Sequence, residues 1–137
     1  MSEPLDRPVL RFAFEFDSRY TAALALVGVT PGRAYVEVGS DLLRARFGPT
    51  GVRTPLANVV SAQLTGPYRA YRAIGIRLSL SDRGVTFGST AAGGVCITFA
   101  EPVRGVDPGH WLRHPGLTVT VADREGLVRA ISAATGR

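Results

Sequence analysis

Short runs of alternating apolar and polar residues, each stopped by glycine, proline or a tight polar turn, leave this chain little choice but β-structure. Successive side chains of a strand point to opposite faces, so a run with one apolar set reads as a half-buried strand. Leu10, Phe12, Phe14 and Phe16 alternate with Arg11, Ala13 and Glu15, a strand with an aromatic inner face. Ala34, Val36 and Val38 alternate with Tyr35 and Glu37. Gly39-Ser40-Asp41 then turns the chain, and Leu43, Ala45 and Phe47 alternate with Arg44 and Arg46. That is a hairpin with one face for the core and one for water.

The same signals continue along the chain. Gly48-Pro49-Thr50-Gly51 predicts the next turn, followed by a short strand over 52–54 that Pro55 ends. A strand is expected over 59–65, stopped by Gly66-Pro67. Ile76, Leu78 and Leu80 alternate with polar residues, and Asp82-Arg83-Gly84 turns into Val85-Thr86-Phe87. Val95, Ile97 and Phe99 line a further strand, 102–116 reads as an irregular loop rich in proline and glycine, and Leu117, Val119 and Val121 form the last strand. Two segments break the period. Residues 18–27 read as a short helix capped by Ser18 and ended by Gly28, with a strand as the other reading. At the end, Asp123 is an N-cap, Glu125 suits the helix dipole, and Leu127, Val128, Ile131 and Ala134 form one apolar face before Gly136.

A chain of 137 residues, 45% hydrophobic, can bury a real core without staples. Cys96 is the single cysteine, so no internal disulfide forms, which points to a cytoplasmic location. The polar, proline-broken start has no signal-peptide pattern, and the longest apolar stretch, 22–29, is too short to cross a bilayer. One amphipathic helix after seven or eight strands can only bury its stripe against the sheets. The expectation is a single domain over 1–137 of mainly β (α+β) class. It comprises an N-terminal extension (1–33) with one strand and a short helix, an antiparallel barrel or sandwich of about seven strands (34–122), and a capping helix (123–136).

This order of elements resembles the pleckstrin-homology-like superfold, in which two sheets pack as a partly open barrel and a C-terminal helix plugs one end. The runs Arg53-Thr54-Pro55-Leu56-Ala57-Asn58-Val59-Val60, Thr65-Gly66-Pro67-Tyr68, Asp82-Arg83-Gly84-Val85-Thr86-Phe87 and His114-Pro115-Gly116-Leu117-Thr118-Val119-Thr120-Val121 also resemble small uncharacterised actinobacterial proteins. Some pleckstrin-homology domains grip phosphoinositides with a basic signature. Arg44-Ala45-Arg46 is similar to its end, with Arg33 standing in for its first basic residue. The turn between them here is tight and acidic, and the family's helix tryptophan is absent, because Trp111 precedes the helix.

Asp107, His110 and His114 would make a metal set on a helix, but Pro108-Gly109 and Pro115-Gly116 leave barely one turn, so the segment reads as an ordered loop with Trp111 as its lid. Cys96 lies mid-strand among packing residues, where a thiol is a small hydrophobe rather than a nucleophile. The small-residue run 88–94 is followed by a strand, not a helix, and the chain contains no lysine; a Walker loop and Schiff-base chemistry are both excluded. No coherent catalytic set emerges, and no cofactor is expected.

The net charge is +5, carried by arginine alone. Uniform arginine fits a GC-rich coding bias, yet the charge still permits an acidic partner. The best binding segment is Tyr68-Arg69-Ala70-Tyr71-Arg72, where arginine offers charge-assisted bonds and tyrosine rigid contact area. Arg44, Arg46, Arg53 and Arg77 are its candidate neighbours. The leading expectation is a non-catalytic interaction module that binds a protein partner or self-associates. The alternative is a binder of anions, whether phosphorylated metabolite, acidic lipid or nucleic acid, and a metal- or thiol-dependent enzyme comes third.

Overall fold

The computed structural model describes residues 9–67, 74–78, 84–104 and 113–136. The alternating runs pair into two sheets. The first is β1 (Leu10–Ala13), β2 (Ala34–Val38), β3 (Leu42–Phe47) and β4 (Thr50–Pro55), in that order and antiparallel throughout. The second contains β5 (Val59–Thr65), β6 (Gly75–Leu78), β7 (Val85–Gly88), β8 (Gly94–Arg104) and β9 (Arg113–Val119), in the order β5-β8-β9-β7-β6. Two α-helices, α1 (Thr21–Leu26) and α2 (Arg124–Thr135), and two short 3-10 turns, Pro31–Arg33 and Leu56–Asn58, complete the described residues. The sheets share one core but do not close into a barrel.

Inward residues fuse the sheets through aromatic packing. Phe47 of β3 stacks on Phe87 of β7 with ring centroids 5.3 Å apart, and Phe14 tilts against Phe47 at 5.1 Å. Phe47 and Phe87 are fully buried, so this contact is a large part of what couples one sheet to the other. The closing helix forms as expected: Asp123 Oδ1 accepts the Gly126 N–H at 3.0 Å, and Leu127 and Ile131 are buried, with the helix lying chiefly on β5. Gly136, at φ 74°, ends it.

The N-terminal strand stops early. It pairs with β2 only through Ala13, and then the chain crosses to the other sheet. Phe14 bridges Val121, Glu15 N–H donates to Thr120 O, and Ala122 N–H donates to Ala13 O. Ser89 Oγ donates to Glu15 O, while Arg124 pairs with the Glu15 carboxylate at 3.2 Å. The crossing replaces the continuous strand expected through Phe16, and Leu10 and Phe12 are less buried than that strand required.

Other expectations need correction. Ser18 is exposed and caps nothing; α1 starts three residues later, after an Asp17 turn in which Asp17 Oδ1 accepts the Arg19 N–H and Asp17 O accepts the Tyr20 N–H. Its far end is as read: Gly28 N–H bonds Ala25 O and Val29 N–H bonds Leu24 O, a helix-ending pair of bonds. The β3–β4 turn is only Gly48-Pro49, with Gly48 at φ 65°, and β4 begins at Thr50. A positive φ at the first of two turn residues is what primed hairpins require.

Two differences matter for the surface. β7 and β9 pair in parallel, where an antiparallel sheet was expected, and β8 is the antiparallel neighbour on the other side of β9. And β8 runs on through Pro102 to Arg104, where a loop was expected. It does so because the register shifts between Thr98 and Val103, leaving Pro102 opposite no ladder partner on β9. Asn58 supports this stretch in place of a strand: its amide donates to Glu101 O at 2.9 Å and accepts the Glu101 N–H at 2.8 Å.

Candidate functional site

Alternation along the first sheet places one row of charge across all four strands. Arg11 of β1 lies opposite Glu37 of β2, Glu37 opposite Arg44 of β3, and Arg44 opposite Arg53 of β4. Glu37 is used mainly by its first neighbour: Arg11 Nη2 reaches Glu37 Oε2 at 2.6 Å and Nε reaches it at 3.1 Å. Arg44 Nη1 stands 3.9 Å from Glu37 Oε1, a looser pairing. Among the described residues, Arg53 has no carboxylate within ion-pair distance. The row therefore grows more positive toward β4.

The next row, Ala13, Tyr35, Arg46 and Gly51, shapes the floor. The Arg11 guanidinium lies 4.0 Å above the Tyr35 ring and covers it. Arg46 Nε donates to Gly48 O at 3.1 Å, which pins the guanidinium near the β3–β4 turn. Gly51 faces Arg46, and a Cβ there would sit 2.8 Å from Ala45 O, so any side chain would both strain the hairpin and fill the floor.

The prolonged end of β8 supplies the wall. Arg104 joins Arg44, Arg46, Arg53, Gly48 and Gly51 around one concavity of about 380 Å³. Arg44, Arg46 and Arg53 were candidates from the sequence, and the structure brings them together. Arg104 was missed because Pro102 signalled a loop; the β-branched Val103 after it, buried in the structure, was the one sequence sign of a continuing strand. Arg77 lies instead on β6, an edge of the other sheet, and Arg33 is exposed in the turn before β2. Tyr68, Arg69, Tyr71 and Arg72 lie outside the described residues, as do Asp107, His110 and Trp111.

The remaining candidates are placed apart from this concavity. His114 lies in β9, buried opposite Val103, rather than in a loop. Cys96 sits half-buried on the outward face of β8 between Gln63 and Thr118, so Cys96 and His114 occupy opposite faces of the sheet. Among the described residues no group of three His, Cys, Asp or Glu side chains could hold a metal ion. In the 88–94 connection, Ser89 is bound to Glu15 O and Thr90 Oγ1 accepts the Ala92 N–H, so these hydroxyls serve the fold.

Searched against family models, curated proteins and solved structures, the chain matches none of them. No helix among the described residues is long and apolar enough to cross a membrane.

Proposed function

We propose that this protein is a non-enzymatic binding module for phosphoryl-bearing anions, held in the concavity between the β3–β4 face and the end of β8. The observation that carries this reading is the convergence of Arg44, Arg46, Arg53 and Arg104 on one concave surface. Like charges set directly opposite each other on a sheet destabilise it, and Arg44 and Arg53 are such a pair. A bound anion turns that cost into affinity, because guanidinium groups bind phosphate oxygens through paired, charge-assisted hydrogen bonds. The reading of a protein partner or self-association has less to rest on, since the exposed large apolar side chains among the described residues are dispersed over β3, β5, β6 and the segments around β1 and α1. The architecture fits a pleckstrin-homology-like reading in its two sheets and closing helix, and departs from it in the parallel β7–β9 pair.

Titration calorimetry with inorganic pyrophosphate at low and high ionic strength tests the proposal. Binding that weakens with added salt and is lost in an Arg44→Ala/Arg53→Ala double variant is the expected result. Absence of binding at low salt, or binding unchanged in the double variant, would overturn it.

A further inference from the structure

Resting on that reading, we infer that the site is built for a compact ligand carrying two linked phosphoryl groups, the diphosphate class, rather than a single phosphate. The sheets each contribute a cross-strand arginine pair. In the first sheet Arg44 stands opposite Arg53; in the second, Arg104 stands opposite Arg113. Arg104 lines the same concavity as Arg44 and Arg53, so both sheets bring arginine to it, with Arg113 next to Arg104 on β9 but outside the lining.

Neighbouring acidic groups do not balance this charge. Glu37 is held by Arg11 at 2.6 Å and reaches Arg44 only at 3.9 Å. Among the described residues no carboxylate lies within ion-pair distance of Arg46, Arg53, Arg104 or Arg113. One phosphate, which near neutral pH carries at most two charges, leaves much of this charge unmatched. Two linked phosphoryl groups match it and give each sheet's arginines their own oxygens. The site is also partly preorganised, because Arg46 is fixed on the Gly48 carbonyl.

The surroundings favour a compact anion over a nucleic-acid strand. Single strands are gripped by bases stacking on open aromatic faces as well as by charge. On this face the described aromatic ring is Tyr35, which is 8% exposed and covered by Arg11.

Calorimetry on the full chain with inorganic phosphate, inorganic pyrophosphate and a single-stranded oligonucleotide decides the matter. Pyrophosphate is expected to bind roughly tenfold or more tighter than phosphate, the effect of one additional charge-assisted contact. Arg104→Ala is expected to weaken pyrophosphate binding far more than phosphate binding and so erase most of that advantage; Arg113→Ala, beside it but outside the lining, is expected to have a smaller effect. A circular-dichroism melt of each variant confirms that it folds. Equal affinity for phosphate and pyrophosphate, or an advantage that survives Arg104→Ala, overturns the diphosphate inference and leaves the anion-binding reading intact. Failure of both anions to bind at low salt overturns the reading itself and the inference with it. An oligonucleotide that binds more tightly than pyrophosphate overturns the inference in favour of an extended backbone.

Discussion

The outward faces of the two sheets obey one rule of alternation and carry opposite chemistry. The first sheet presents Arg11, Glu37, Arg44, Arg46 and Arg53; the second presents Ser61, Gln63, Thr86, Cys96, Thr98 and Thr118. Short hydroxyl side chains on a pleated surface satisfy themselves with water and suit strand geometry at no electrostatic cost. Arginines placed across from one another do not, and the surface they make is stable only because the hydrophobic side beneath it is well packed. Charge concentrated against its own repulsion is the feature on which the proposed anion site rests, and the uncharged face of the second sheet supplies the internal control.

The largest effect should come from uncoupling the two faces. Phe47→Ala removes the stack on Phe87 and should lower the unfolding free energy by ~3–5 kcal/mol in a denaturant titration. A loss below about 1 kcal/mol would mean that the sheets are held together elsewhere. Next in size, Arg46→Ala should weaken pyrophosphate binding by ~1.5–3 kcal/mol in calorimetry, with little change in melting temperature. A smaller effect of opposite sign sharpens the contrast: Arg53→Thr relieves the repulsion with Arg44. It should stabilise the fold by ~0.2–1 kcal/mol while costing affinity, and a variant that loses both would show that Arg53 is there for packing. The smallest effect belongs to the control face. Thr118→Ser should leave stability within about 0.5 kcal/mol and pyrophosphate binding unchanged, and any binding defect there would move the site to the second sheet.

Period-two alternation made the in-and-out assignment of β2 and β3 legible, residue by residue, and the Asp123 cap and Leu127–Ile131 stripe made the closing helix so. Pairing across sheets was not legible, because alternation says which way a side chain points and not what stands opposite. Arg44 and Arg53 could be named from the sequence; their direct opposition is a property of the Gly48-Pro49 turn, which proved two residues long where four had been read. Arg104 was hidden by Pro102, since a proline ends most strands and is tolerated here only through a register shift and the Asn58 amide. The parallel β7–β9 pair was equally hidden, as no local residue pattern records which strand lies between two others.

The crossing of Phe14 and Glu15 onto Thr120 and Val121 has a consequence for how the molecule is made. Contacts between residues so far apart in sequence close the largest loops and are the slowest to form. On the ribosome, residues 13–15 are made more than a hundred residues before their backbone partners at 120–122. Phe14 can already meet Phe47, and Phe47 can meet Phe87, before the backbone bonds of 13–15 to 120–122 close. The tie between residues 13–15 and 120–122 is therefore a late closure, made after the aromatic stack between the sheets has its partners.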